Sequence, residues 1–252
     1  MLGDEIDSKS VPLKTGAIVG LGLAYVGSQR EDLSSRLLPI VADDANSMEI
    51  ASLAALALGF IFVGSNNGEI AATVLQALME RSDSALDEKW ARFMILGLAL
   101  LYLGNQEASD ATLETLKAIE HNISKQAQIL VDICAYAGTT NVLKVQSMLH
   151  HCNDHIEKKD GSKEDDTFQA FAVIGIALVA IGEDVGAEMA LRQFNHLVSL
   201  CDEPQACVGS DFSCEDALWR ALYPKSRTSC TWTNKCIESS THYPRYPVKV
   251  QP

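Results

Sequence analysis

The sequence has 252 residues, of which 47% are hydrophobic and 21% are charged, and its formal net charge is -13. This length can form one large domain or two small ones around a hydrophobic core. The excess of acidic residues argues against nucleic-acid binding, which requires clustered lysine and arginine. No apolar run follows Met1, and the apolar stretches at residues 50–64 and 170–182 are short, so we expect neither a signal peptide nor a membrane span.

A repeated pattern begins after residues 1–14, which we assign as the N-terminal segment that starts a repeat array. Five segments share an apolar run that is rich in small residues and closes on a glycine. In chain order they are residues 16–27, 52–64, 93–104, 127–138 and 172–182. Their closing glycines are 37, 40, 34 and 44 residues apart, which is the range of helical-pair solenoids.

Small residues recur seven and five positions before the closing glycine in four of these segments. They are Gly20 and Gly22, Ala57 and Gly59, Gly97 and Ala99, and Gly175 and Ala177. Glycine inside a helix costs about 1 kcal/mol relative to alanine, so its recurrence predicts a close approach of neighbouring helix backbones. The fourth segment is the exception, with Val131 and Ile133. The closing glycine fits the left-handed position that ends a helix.

A short polar turn follows each glycine and leads to a second, amphipathic helix. The predicted second helices are residues 32–41, 69–81, 110–121, 142–151 and 187–200. The first helices are apolar nearly all round, which predicts an inner layer, whereas the one-sided second helices predict an outer, solvated layer. The predicted fold is therefore all-α: an α-helical solenoid or toroid segment of about five helix pairs, an α-α superhelix.

Two segments depart from this pattern. Residues 153–167 include the charged run EKKDGSKEDDT, which predicts a disordered loop within the array of residues 15–200. Residues 201–252 hold five of the seven cysteines and five of the seven prolines, and they lose the helical periodicity. We predict an unstructured tail there. Our hypothesis is a frameshifted or mis-spliced product, which sequencing of the transcript tests.

The repeat is clearest in GAIVGLGLAYVG, residues 16–27. It resembles the proteasome/cyclosome repeat, which occurs in two large proteasome subunits and in a subunit of the anaphase-promoting complex. Residues 2–200, with segments such as CAYAGTTNVLKVQSMLH and IGIALVAIGEDVGAEMALRQFNHL, are similar to the family of large non-ATPase proteasome subunits that receive ubiquitin. In that family the repeats form a toroid, and this chain holds about half of them.

The resemblance implies a non-catalytic scaffold of the proteasome regulatory particle, present in the cytoplasm and nucleus, whose outer helices dock ubiquitin or ubiquitin-like domains for protein degradation. The implied partners are ubiquitin chains, ubiquitin-like domains of shuttle factors, a deubiquitinase, proteasomal ATPases and other regulatory-particle subunits. We expect no nucleic acid, membrane, cofactor or metal among its ligands. Two alternatives remain: a purely structural repeat scaffold, and a truncated fragment without function.

The predicted docking surface centres on the second helix of the second repeat. Four residues there follow at steps of three and four and so share one outer face: Glu69, Thr73, Gln76 and Glu80. Ala72 and Met79 flank them. The resemblance implies that Glu69, Gln76 and Glu80 form an acidic ubiquitin-binding motif, in which Gln76 replaces a carboxylate found in some members. Neighbouring helices widen the predicted site through Asp32, Arg36, Asp110, Glu114 and Lys117.

The competing interpretation of this face is structural. An acid such as Glu69 at a helix N-terminus stabilises the helix dipole by a few tenths of a kcal/mol. Gln76 and Glu80 then do no more than keep an outer face solvated. An exposed mixture of acidic and apolar side chains favours docking, whereas a purely polar face favours a scaffold.

Other candidate sites have structural explanations. The run of His150, His151, Cys152, Asp154 and His155 resembles a metal cluster in composition, but adjacent helical residues point to different faces. The tail cysteines form no CxxC pair, and no nucleophile or phosphate-loop motif occurs, so we predict no enzyme. Trp90 and Phe93 are predicted to pack in the core or between repeats, and Cys134 to lie in the core.

Overall fold

The computed structural model describes residues 6, 8, 10–153, 167–182, 186–190 and 192, and these belong to one compact unit. The predicted tail, residues 201–252, and residues 154–166 of the predicted loop lie outside the described residues. The described secondary structure is helical, which confirms the all-α prediction.

Ten α-helices alternate between an inner and an outer layer along the described chain. The inner helices are α1 (Val11–Ala24), α3 (Met48–Ile61), α6 (Ala91–Leu101), α8 (Asn122–Ala135) and α10 (Thr167–Ala180). The outer helices are α2 (Glu31–Ala42), α4 (Gly68–Glu80), α7 (Asp110–Lys117) and α9 (Val142–Asn153). A single turn, α5 (Asp83–Leu86), connects α4 to α6. Each inner helix packs against the next, so the predicted two-layer repeat array is confirmed.

The inner helices form the core because their faces are covered on several sides at once. Ile18, Leu58, Ile95, Val131 and Ile176 are each fully buried. Outer helices bury one side only, as α2 does with Leu33, Leu37 and Val41. The inner helices also begin two to five residues before the repeated apolar segments, at residues 11, 48, 91, 122 and 167.

All five closing glycines adopt the left-handed conformation that was predicted for them. Gly27, Gly64, Gly104, Gly138 and Gly182 have φ angles of 70°, 66°, 77°, 70° and 97°. A side chain is strained in this region, so glycine ends each inner helix at little conformational cost.

A ladder of backbone hydrogen bonds joins successive repeats at these turns. The Gly27 amide donates to the carbonyl of Phe60 in the next repeat at 2.9 Å, and the Gln29 amide donates to that of Ile61 at 3.0 Å. The same pair recurs from Gly64 to Leu100, Asn66 to Leu101, Gly138 to Leu178 and Thr140 to Val179. Each turn thereby satisfies carbonyls that the end of the neighbouring helix leaves without intrahelical partners.

Small residues inside the inner helices allow the close approach that their recurrence predicted. A Cβ atom built on Gly22 would lie 2.8 Å from the Cα atom of Ala57. One built on Gly59 would lie 2.7 Å from the Cα atom of Gly97. In each case a backbone atom occupies the space that a side chain would need, so these helices pack backbone to backbone.

The third outer helix was predicted over residues 110–121, but it ends at Lys117. Ala118 and Ile119 turn tightly, with amides bonded to the carbonyls of Thr115 and Leu116. The Nδ1 atom of His121 then accepts the Ile123 amide at 3.1 Å and caps the next inner helix. His121 therefore starts a helix instead of ending one, because its ring can serve as a cap acceptor.

The remaining boundaries differ less. The fourth outer helix reaches Asn153 instead of residue 151. Of the predicted fifth outer helix, residues 187–190 and 192 are helical, and the others lie outside the described part of the chain. No helix among the described residues is long and apolar enough to span a membrane.

Cys134 lies in the core as predicted, and burial raises the pKa of its thiol from 9.0 to about 11. Trp90 is partly buried and packs against the core, in agreement with its prediction. The prediction was wrong for Phe93, which is 37% exposed. The centroid of its ring lies 5.7 Å from that of the Trp90 ring.

Candidate docking surface

The helix α4 carries the centre of the predicted surface, and a side-chain cap fixes where it begins. The Asn67 Oδ1 atom accepts the amides of Glu69 and Ile70 at 3.0 and 3.2 Å. Ile70, Val74 and Leu78 then form the buried face. Because these three residues define the inward direction, the opposite side of α4 faces solvent.

Glu69, Gln76 and Glu80 are exposed on that opposite side, as predicted. Gln76 Nε2 donates to Glu80 Oε1 at 2.8 Å, so the two side chains are held together. The prediction is less accurate for Thr73, which is half-buried. Its hydroxyl donates to the carbonyl of Glu69 at 2.9 Å, so this residue bonds within its own helix.

Apolar side chains are exposed beside these acids. Met79 is 49% exposed and lies next to Glu80, and Ala72 is exposed about two turns nearer the start of α4. The face is therefore a mixture of carboxylates and apolar atoms. This mixture is the feature that favours docking over a purely structural outer layer.

The candidate residues of α2 and α7 lie on the two outer helices that pack against α4. Those on α2 are Asp32 and Arg36, and those on α7 are Asp110, Glu114 and Lys117; all five are exposed. The structure thus brings three neighbouring outer helices together as one surface, with α4 in the middle.

Two of the three candidate acids on the flanking helices are paired within the protein. Arg30 pairs with Asp32 at 2.5 Å, and its guanidinium, as hydrogen-bond donor, lowers the pKa of that carboxyl. Lys117 pairs with Glu114 at 2.6 Å. By contrast, neither Glu69 nor Glu80 forms an ion pair with a described basic residue. Among the candidate acids, Glu69 and Glu80 of α4 and Asp110 of α7 therefore have no ion pair with a described basic residue.

The ion pair between Arg30 and Asp32 could not be predicted from the helical spacing of the surface residues. Arg30 precedes α2 and lies in the turn, where its guanidinium also stacks 4.8 Å from the centre of the Tyr25 ring. A basic residue two positions before an acid at a helix start is the only sequence signal for this pair.

A groove that the sequence did not predict opens beyond α7. Its volume is about 530 Å³, and α7, α8 and α9 line it. Asp132 of α8 and Lys144 of α9 form an ion pair of 2.6 Å in this groove, and the Lys144 ammonium lies 4.3 Å from the centre of the Tyr136 ring. Asp110, Glu114 and Lys117 line the groove as well as the outer surface.

The histidine run lies near one end of the groove. The rings of His150 and His151 have centroids 6.3 Å apart on α9. Asp154 and His155 fall outside the described residues. Within the described ones, no group of three or more histidine, cysteine or acidic side chains could hold a metal ion.

Comparison with known proteins identifies the repeat. The family model of the proteasome/cyclosome repeat matches residues 16–50. The chain is 50% identical over 196 residues to the 26S proteasome regulatory subunit rpn-1 of Neurospora crassa, a match that covers 77% of this chain and 22% of that protein. It is 54% identical over 175 residues to rpn1 of Schizosaccharomyces pombe, with coverages of 69% and 20%.

A third relative is also similar in sequence. The 26S proteasome non-ATPase regulatory subunit 2 of Dictyostelium discoideum is 46% identical over 198 residues, which are 79% of this chain and 21% of that protein. The chain thus spans about a fifth of the length of these relatives. By its helical repeats, its closing glycines and these identities, the chain belongs to the proteasome/cyclosome-repeat family of proteasome regulatory subunits.

Proposed function

We propose that the chain is a non-catalytic scaffold of the proteasome regulatory particle that docks ubiquitin or ubiquitin-like domains on α4, with α2 and α7 at the margins. The observation that carries the proposal is the combination of two unpaired carboxylates, Glu69 and Glu80, with the exposed Met79 on one helix face. Ubiquitin presents an apolar patch surrounded by lysine and arginine, which complements such a face.

The relatives support the wider setting. Their names describe regulatory and non-ATPase subunits of the 26S proteasome, which fits a scaffold without chemistry of its own. On this proposal the chain works in the cytoplasm and nucleus. Its partners there are other regulatory-particle subunits, the ATPases among them, together with shuttle factors and a deubiquitinase.

An NMR titration of the isotope-labelled full chain with unlabelled ubiquitin tests docking. We expect backbone amide shifts that concentrate on α4 and on the exposed faces of α2 and α7. Binding should weaken as salt is added, because exposed charges are screened over about 8–10 Å at 0.1–0.15 M ionic strength. A shuttle-factor ubiquitin-like domain serves as the second ligand.

The Glu69→Arg/Glu80→Arg variant reverses the unpaired charges, and we expect it to weaken binding by at least about tenfold. The matched control is Glu88→Arg/Glu120→Arg, which changes the net charge equally at two exposed positions outside α4. The control should bind as the parent chain does. A folded spectrum that neither ligand shifts would leave a structural scaffold and remove the docking proposal.

A further inference from the structure

The ladder between repeats is complete at three of the four described junctions and incomplete at the third. The Gly104 amide donates to the carbonyl of Cys134 at 3.0 Å. Gln106 has the same positive φ, 44°, as its counterparts Gln29, Asn66 and Thr140. Among the described residues, however, its amide makes no bond to Ala135, the corresponding carbonyl of α8. The chain continues instead as a 3-10 turn, Gln106–Ser109.

The third junction also differs in the residue types that meet where its inner helices pack. Elsewhere, the residue five before one closing glycine meets the residue seven before the next, and a glycine takes part. The pairs are Gly22 with Ala57, Gly59 with Gly97, and Ile133 with Gly175. At the third junction these positions hold Ala99 and Val131. The contact between α6 and α8 at these positions is therefore made without a glycine.

The outer layer opens at the same place. The helix α4 packs on α2 and makes a smaller contact with α7, and in the described structure α7 and α9 make no substantial contact. The helix α7 has only eight residues, and the groove of about 530 Å³ separates it from α9. The exposed part of α8 is polar there, with Lys125, Gln128 and Asp132 lining the groove.

From these three observations we propose that the third junction is a hinge that divides the described array into two cooperative units, residues 11–117 and residues 122–153 with 167–182. Repeat arrays are stabilised by the folding of each repeat and by the interfaces between neighbours. An interface with half the ladder, no glycine contact and an open outer layer therefore couples its two sides least. Each unit opens separately, as local units do in native proteins.

The hinge has a consequence for any partner on the outer surface. The helices α2, α4 and α7 all belong to the first unit, and α9 and α10 belong to the second. A molecule bound to the first unit is thus able to change its angle relative to the second without disturbing the packing of either. This inference concerns the array itself and holds whether or not ubiquitin is the partner.

Hydrogen exchange of the full chain, measured by NMR at low denaturant concentrations, tests the division. Leu58→Ala creates a cavity in the first unit and Ile176→Ala creates one in the second, since both parent side chains are fully buried. We expect Leu58→Ala to accelerate exchange of the Gly27 and Gly64 amides by about a hundredfold or more. The Gly138 amide should change less than about twofold, a limit set by the independence of distant sites.

Ile176→Ala should have the reverse effect. If these variants do not fold, Ile61→Val and Ile176→Val make the same comparison with effects of roughly threefold to tenfold. Acceleration confined to the unit that carries the substitution supports the hinge. Equal acceleration on both sides, or no acceleration on either, would overturn it.

Discussion

Gly59 of α3 and Gly97 of α6 pack against each other without an intervening side chain, so that a Cβ atom on Gly59 would lie 2.7 Å from the Gly97 Cα atom. Two helices of adjacent repeats are therefore in direct backbone contact. We expect overpacking in Gly59→Ala to cost about 1–3 kcal/mol, because the helices must separate. The gain of about 1 kcal/mol in helix propensity offsets part of this cost, so the variant should be less stable than the parent by up to about 2 kcal/mol.

Gly16→Ala is the matched control for that substitution. Gly16 also lies within an inner helix, but a Cβ atom there meets nothing within 4 Å. We expect this variant to be more stable than the parent by roughly 0.5–1 kcal/mol. Urea denaturation of both variants gives the two free energies, and a Gly59→Ala variant as stable as Gly16→Ala would contradict the close-packing argument.

Two of the closing glycines allow the cost of backbone strain to be measured separately from the cost of a steric contact. Gly64 and Gly104 have φ angles of 66° and 77°, and an added Cβ atom would lie 3.1 Å from the Leu103 carbonyl oxygen at Gly64 but in open space at Gly104. Gly104→Ala should cost about 1–2 kcal/mol from the left-handed backbone alone. Gly64→Ala should cost more. Thermal unfolding in parallel checks the order, and a reversed order would show that the contact is relieved without cost.

The cap of α4 predicts a third effect. Asn67→Ala removes the acceptor for the Glu69 and Ile70 amides, and we expect a loss of about 0.5–2 kcal/mol. Asn67→Asp retains an acceptor oxygen and should keep most of the stability. Amide exchange at Glu69 and Ile70 reports the cap directly. If Asn67→Ala left both amides as protected as before, the cap would not be what begins this helix.

Burial of Cys134 makes stability depend on pH in the alkaline range. Its thiol has a pKa of about 11 in the folded protein against 9.0 without burial. The unfolded chain therefore loses this proton first as the pH rises. The contribution is fully present below pH 9 and is lost as the pH approaches 11.

Cys134→Ala removes this titration but leaves the other groups in place. From pH 8 to pH 10, the stability advantage of the parent chain over the variant should shrink by about 1.4 kcal/mol. Urea titrations at both pH values measure it. A constant difference would mean that the thiol is more accessible to water than its burial indicates.

The periodic features of the chain were accessible from its sequence because they reflect local geometry. Gly27 ends a helix because glycine tolerates a positive φ, and Gly59 allows close approach because it has no side chain. Both properties follow from the residue type alone. The ladder was not predicted, because its donors and acceptors are backbone atoms. Gln29, for example, has a positive φ, which its residue type does not predict.

The candidate surface was likewise only partly predictable from the sequence. Spacing alone placed Glu69, Gln76 and Glu80 on one exposed face of α4. Spacing could not show that Thr73 is half-buried, since its exposure depends on how closely α4 packs against the neighbouring helices. The groove beyond α7 depends on where that helix stops. The helix ends at Lys117, and the Ser124 hydroxyl donates to the carbonyl of Leu116 at 2.5 Å, a bond that the helical pattern does not predict.

The ladder of turns also bears on how such a chain can evolve. Both partners in each bond are main-chain atoms, as in the bond from Gly64 to Leu100. Substitutions of the exposed side chains on α4 or α2 therefore leave the bonds between repeats intact, provided that the glycines remain. During evolution, the binding specificity of one repeat can therefore change, and a partner can be gained or lost there, while the architecture stays the same.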